Sequence, residues 1–321
     1  MNNLGILVRS MFFKHSKILT CFFITVIFIN VTSCEDSELG RGHPDPRAVV
    51  MEGEPYILNI DSSPTSILKF YNRISIEQLL ATAGEGDAVQ RYLYARILMR
   101  DYRYELPHDD AVKILEAVWQ EGLVDAGYDL FELYTGSPIV DRNLDVAKEY
   151  LVASAELGYI VSQQTLGLAL SGRSIKIKME VDYALARGWY LLAAQQGDVL
   201  SAVNLAGLYR KGLGGELDEG KAFSWLIKAE HMPYGDPSYA FDGLALYYEN
   251  GIGTDVDLVQ AYKYYDLLSP AGDDDKARLA GQMTPEQIHE AINLSRQWQE
   301  EHNIFVPSYY GLEYQDDGTF Q

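Results

Sequence analysis

Leu205-Ala206-Gly207-Leu208-Tyr209-Arg210-Lys211-Gly212-Leu213-Gly214, followed after a short acidic stretch by Lys221-Ala222-Phe223-Ser224-Trp225-Leu226-Ile227-Lys228-Ala229, decides the fold. In the first segment Ala202, Leu205, Leu208 and Tyr209 recur at i, i+3, i+6 and i+7, close to one face of a helix. In the second, Ala222, Trp225, Leu226 and Ala229 fall at i, i+3, i+4 and i+7 and make another apolar face. Gly212 and Gly214 end the first helix and turn the chain, because glycine alone takes positive φ cheaply. Two helices joined in this way cannot bury both faces by themselves. Such pairs have to stack on one another.

The same unit recurs on both sides. Gly86, Gly122, Gly158, Gly197 and Gly235 are separated by 36, 36, 39 and 38 residues and set the phase of five copies. The fifth copy repeats the fourth as Leu244-Ala245-Leu246-Tyr247-Tyr248-Glu249-Asn250-Gly251-Ile252-Gly253 and then Gln260-Ala261-Tyr262-Lys263-Tyr264-Tyr265. The third closes on Trp189-Tyr190-Leu191-Leu192-Ala193-Ala194-Gln195-Gln196-Gly197, and the second carries Leu130 to Gly136 and Glu149 to Ala155. The first, with Tyr94 to Leu98 and Ala111 to Trp119, is the most worn. Copy two lacks the second turn glycine, and copy three replaces the turn by the longer stretch Arg173 to Glu180. Tyr134, Tyr209 and Tyr248 share one repeat position and are expected in the core. Thr284-Pro285-Glu286-Gln287 is a capping box with proline at the first helical position, and starts a helix running to Trp298.

The pattern Leu-Gly-x-x-Tyr-x-x-Gly-x-Gly, then Lys-Ala-x-x-Trp-Tyr-x-x-Ala-Ala-x-x-Gly-Asp, resembles the Sel-one-like repeat, a relative of the tetratricopeptide repeat, over about residues 76–300. The resemblance implies an all-α chain: an α/α superhelical solenoid of tandem helix-turn-helix repeats with a C-terminal closing helix. It implies an interaction module whose first helices line a concave groove. Asp129, Asn204 and Asp242 each fall seven residues after a phase glycine and, by likeness to tetratricopeptide grooves, are the candidate partner-facing residues; plain solvated positions are an equal alternative.

The first thirty-three residues read as an address. Lys14, His15 and Lys17 precede the apolar run Ile18 to Ile29, which is short for a membrane span and suits the h-region of a signal peptide. The run ends in Val31-Thr32-Ser33-Cys34, which resembles the lipobox of bacterial lipoproteins. That likeness implies cleavage before Cys34 and lipidation of its thiol. Glu35, where the family's inner-membrane retention signal has aspartate, points to the outer membrane, facing the periplasm. A plain cleaved signal or a short membrane anchor is the alternative. Residues 34–75 hold breaker clusters such as Gly40-Arg41-Gly42-His43-Pro44 and read as a tether, while 301–321 read as an acidic, aromatic tail.

The formal net charge of −20 becomes −23 without residues 1–33, which carry Arg9, Lys14 and Lys17 and no acid. Such a balance disfavours a phosphate backbone as ligand and favours a basic protein or peptide. Two cysteines near the N-terminus supply no disulfide framework for the body. Gly215 to Ala222 nearly spells a phosphate loop but places Ala222 where the metal-binding hydroxyl belongs. His289-Glu290 begins like a zinc-protease helix, yet Asn293 stands at the second ligand position. No catalytic residue, metal site or cofactor is predicted. The expected function is a membrane-anchored adaptor or scaffold of the bacterial envelope. An immunity protein or inhibitor of a basic toxic effector is the alternative, and a cell-wall enzyme ranks last.

Overall fold

The computed structural model describes residues 51–58, 86–100, 107 and 109–311. The expected signal peptide, Cys34, most of the tether and the end of the tail lie outside the described residues. Five helix pairs follow one another: α1 (Ala88–Arg100) with α2 (Asp110–Gln120), α3 (Asp125–Gly136) with α4 (Leu144–Glu156), and α5 (Ile160–Leu170) with α6 (Tyr183–Gln195). Next come α7 (Val199–Lys211) with α8 (Glu219–Ala229) and α9 (Ser238–Asn250) with α10 (Leu258–Leu267). The short α11 (Asp273–Ala280) leads to the closing helix α12 (Pro285–His302) and a single 3₁₀ turn, Pro307–Tyr310. Among the described residues, extended pairing is limited to two isolated bridges, Tyr56 with Leu123 and Asp198 with Tyr234. Each helix packs on its own partner, and neighbouring pairs pack on one another, as stacking requires.

The joint inside each pair is built the same way four times. Asn143, Asp182, Asp218 and Asp257 cap α4, α6, α8 and α10, each side chain accepting from backbone N–H groups of the first turn. The backbone N–H of each cap donates to a carbonyl near the end of the preceding helix: Tyr134 at 2.9 Å, Leu170 at 2.9 Å, Tyr209 at 3.0 Å and Tyr248 at 2.8 Å. The tyrosine position of the repeat therefore anchors the turn through its backbone. Its ring is less uniformly placed than the sequence predicts. Tyr134 is buried and stacks on Tyr150, but Tyr209 and Tyr248 are only half-buried. Their rings lie between hairpins, where the Arg187 guanidinium covers Tyr209 at 3.7 Å and Phe223 meets Tyr248 edge-on at 5.1 Å.

Glycine is required where the turn meets the neighbouring pair. Gly214 and Gly253 both have positive φ, 73° and 66°. A Cβ on Gly214 would lie 2.2 Å from the Tyr183 carbonyl oxygen, and one on Gly253 2.1 Å from that of Glu219. Each turn thus touches the first turn of a second helix through bare backbone. Elsewhere aromatic rings fill the space left by small residues. Trp119, fully buried, lies against Gly127 of the next helix and meets Tyr150 edge-on at 5.7 Å. Burying a side chain of that size contributes on the order of 3 kcal/mol.

Part of the expected tether is docked on the array. Tyr56 donates its N–H to the Gly122 carbonyl at 2.8 Å and accepts from Val124 at 3.0 Å. Tyr234 makes the equivalent pair of bonds with Gly197 and Val199, at 3.1 and 2.9 Å. A segment from outside the repeat thus does at the second phase glycine what the chain's own Tyr234 does at the fourth. At the other end, the capping box of Thr284 and Gln287 forms as expected. Ser295 on α12 donates to Asp266 at 2.6 Å, and Lys276 pairs with the other oxygen of Asp266 at 3.0 Å. Burial opposes the charge on Lys276, but Asp266 and Asp273 outweigh it and hold its pKa above the ordinary lysine value. The tail is pinned as far as Gly311, with Val306 donating to Gln299 at 2.8 Å and Ser308 to the Asp266 carbonyl at 3.2 Å.

Two predictions follow from this packing. Gly253→Ala combines left-handed φ with a backbone clash and should destabilise by about 2 kcal/mol or more. Gly188→Ala, on the exposed face of α6 with open space around it, should stabilise by up to ~1 kcal/mol. Urea denaturation measures both. The second concerns Glu249, whose hydrogen bond from Arg278, aided by Tyr265 and opposed by burial, holds its carboxyl below the usual range. A depressed carboxylate contributes stability above its unfolded pKa and loses it as pH falls through the folded value. Glu249→Gln should therefore be less stable than wild type at pH 7, and the gap should narrow below pH about 4, as urea midpoints at several pH values will show.

Candidate interaction face

Three first helices of the pairs, α3, α7 and α9, carry the residues singled out for partner contact. The positions are equivalent, yet their surroundings differ. Asp129 on α3 is 0 % exposed and lies 3.8 Å from the Arg96 guanidinium of α1, which is itself buried and reaches Tyr92 at 3.3 Å. Asn204 on α7 is buried and accepts a hydrogen bond from Arg173. Asp242 on α9 is exposed. Asp129 and Asn204 are thus engaged inside the molecule, and Asp242 alone of the three is presented to solvent. His289 and Glu290 lie on the exposed side of α12, and the Gly215–Ala222 stretch is the ordinary α7–α8 turn with Asp218 as helix cap.

The feature the sequence reading passed over as a departure from the repeat is the α5–α6 connection. The joints of the second, fourth and fifth pairs, 137–143, 212–218 and 251–257, are seven residues long, whereas 171–182 has twelve. Both ends of this longer connection keep the standard geometry. Gly172 takes φ 73° and the Asp182 N–H reaches Leu170, so the additional length is a strap raised from a normal turn. The strap lies over the first-helix face. Arg173 donates to Asn204 on α7. Lys176 pairs with Glu132 on α3 and lies 3.4 Å from the Tyr128 hydroxyl. Burial works against the charge on Lys176, but Tyr128 and Glu132 outweigh it and keep its pKa above the ordinary value. Ile177 is buried in the core shared by α1 to α5, while the neighbouring Ile175 is 99 % exposed. Beside the strap is a cavity of about 450 Å³ lined by Met99, Leu133, Pro138, Arg142, Ile175 and Lys176, among others.

Tandem helix hairpins stacked through their neighbours, with a polar first-helix face, define an α/α solenoid of the interaction-module type. The Sel1 repeat model matches residues 124–159, 169–198, 199–232 and 242–269. The chain thus carries Sel1 repeats over those residues, and the first pair, α1 and α2, lies outside the match. The fold is similar to the crystal structure of c5321, described as a protective antigen present in uropathogenic Escherichia coli strains displaying an SLR fold. That match has 24% identity and a TM-score of 0.60, and covers 79% of this chain and 55% of the antigen. The chain thus spans about half the length of that relative. A Sel1 repeat protein from Oxalobacter formigenes is similar at 20% identity and a TM-score of 0.51, over 64% of this chain and 82% of that one. No curated protein matches the sequence. Sel1 repeat proteins generally mediate protein–protein interaction and are typically non-catalytic.

Removing Asp129 takes a carboxylate away from the buried Arg96 guanidinium 3.8 Å off. Asp129→Ala is expected to cost about 3 kcal/mol, against within ~0.5 kcal/mol for Asp242→Ala on the surface, measured by urea denaturation.

Proposed function

We propose that this chain is a lipid-anchored scaffold of the bacterial cell envelope that holds a basic protein partner on its first-helix face. The lipobox-like Val31-Thr32-Ser33-Cys34 supports the anchor at Cys34; residues 34–75 then serve as the tether, residues 76–300 as the binding array and residues 301–321 as an acidic, aromatic tail. Glu35 supports the outer membrane. Two acyl chains give stable anchoring at about 0.8 kcal/mol for each buried CH₂. The observation that carries the binding role is the stacked array of Sel1 repeats, whose buried apolar residues are used up in holding the hairpins together. The exposed face then has recognition as its task, with no turnover.

The charge of −23 after removal of the leader supports a basic partner. Opposite fields speed encounter, and complementary charge selects among partners. The same observation supports a second reading, an immunity protein that neutralises a basic toxic effector, which differs only in what the partner does.

Cys34→Ser should move the protein from the membrane fraction to the soluble fraction. A photo-crosslinking residue placed at exposed Asp242 should give a discrete adduct with a basic protein in the native cells, and one at His289 on the closing helix should not. Membrane retention of the Cys34→Ser protein would remove the lipid anchor. Equal adducts from both positions would remove the first-helix face as the binding surface. An identified adduct with toxic activity that falls on binding selects the immunity role.

A further inference from the structure

The strap Arg173–Glu180 shows what the first-helix face accepts. We propose that the track from Tyr128 and Glu132 on α3 across α5 to Asn204 on α7 binds an extended basic peptide segment, and that the strap is its internal occupant. The inference rests on the scaffold reading and names the chemistry of the ligand.

Three observations carry it. First, the strap is not needed to join its helices. The seven-residue joints of the second, fourth and fifth pairs make the same cap-to-carbonyl bond, at 2.8 to 3.0 Å, that Asp182 makes to Leu170 at 2.9 Å. Second, the strap's contacts are those of a ligand. A guanidinium meets Asn204, an ammonium three residues later meets Glu132 and the Tyr128 ring at 5.6 Å, and the next side chain, Ile177, enters the apolar core. Two cations and an aliphatic anchor read an acidic and aromatic track in an otherwise strongly acidic chain. Third, the fit is incomplete. The Asn204 Nδ2 is buried with no hydrogen-bond partner, although its Oδ1 is engaged by Arg173. Ile175 stands fully exposed beside the cavity. An incoming extended segment supplies a backbone carbonyl to that amide, and a second apolar side chain reaches the wall of the cavity formed by Met99, Leu133 and Pro138. A buried donor left without an acceptor is costly, so an occupant that satisfies it displaces one that does not.

The partner is therefore a segment with a basic residue, a second basic residue three positions on, and an aliphatic residue immediately after. Binding requires the strap to lift, so the internal occupant sets a threshold of affinity and sequence on what is bound. The strap's loss reduces the apparent dissociation constant by removing a competitor that occupies the track in the unbound protein.

The test uses full-length protein in detergent and a fluorescein-labelled peptide of residues 171–182. In one variant the strap is replaced by the seven-residue turn of residues 212–218. In a second, Arg173→Ala and Lys176→Ala release the strap at its natural length, so the test survives if the shortened chain fails to fold. Fluorescence anisotropy should show saturable binding to either folded variant, at least about 10-fold tighter than to wild type, and weakening as salt is raised. A peptide with both basic residues changed to glutamate should not bind. Equal binding to wild type and variants, or no binding to variants whose circular dichroism and melting match a folded array, overturns the proposal. A basic protein still captured at Asp242 in that case leaves the scaffold reading intact and removes only the strap as its guide.

Discussion

Backbone-to-backbone approach between successive hairpins is the constraint on which the array depends. A turn whose glycine lies against the first turn of a neighbouring helix fixes the offset between the two pairs to within the width of a missing methyl group. Gly214 against Tyr183 and Gly253 against Glu219 set that offset at two successive joints. Once it is set, the cap-to-carbonyl bonds recur in four successive pairs, and rings such as Trp119 and Tyr150 fill the space between neighbouring helices. Stability then accumulates through neighbour interfaces, and the ends need their own closure. Segment 51–58 docks at the second phase glycine, and α12 with the start of the tail closes the last pair.

Polar groups buried at these interfaces set register more than strength. The Arg96–Asp129 pair links α1 to α3, Glu230 accepts from Tyr264 at 2.7 Å across the fourth and fifth pairs, and Asp266 gathers Lys276 and Ser295 at the closing helix. Buried charges cost several kcal/mol to desolvate and regain it only in good geometry. A slip of one hairpin against the next leaves such a group uncompensated, which penalises the wrong stacking more than it favours the right one. One repeat position of the first helices accordingly ranges from buried Asp129 to solvated Asp242.

The repeat was legible because its signals are local. Glycine spacing, helical apolar stripes and the Thr284 capping box each lie within a few residues and are read without knowing what lies opposite. What escaped notice depends on contacts distant in sequence. Asp129 and Asn204 look like surface polar residues because Arg96 is on the preceding pair and Arg173 on a loop that the repeat pattern treats as an irregularity. The stretch around Tyr56 has no helical stripe, and its docking through main-chain bonds to Gly122 and Val124 leaves no side-chain signature. The longer third joint was visible as a count of residues. Its alternating basic and aliphatic character was the available signal, since Arg173, Lys176 and Ile177 read as a ligand once the face beneath them is known.

Amide hydrogen exchange along the whole array tests the neighbour-coupled stack most directly. A stack held by its interfaces predicts a gradient, with the greatest protection in α5 to α8, which have a pair on either side, and lower protection in α1 and α2 and around α11. Protection that is uniform along the chain, or greatest in the terminal pairs, would contradict it.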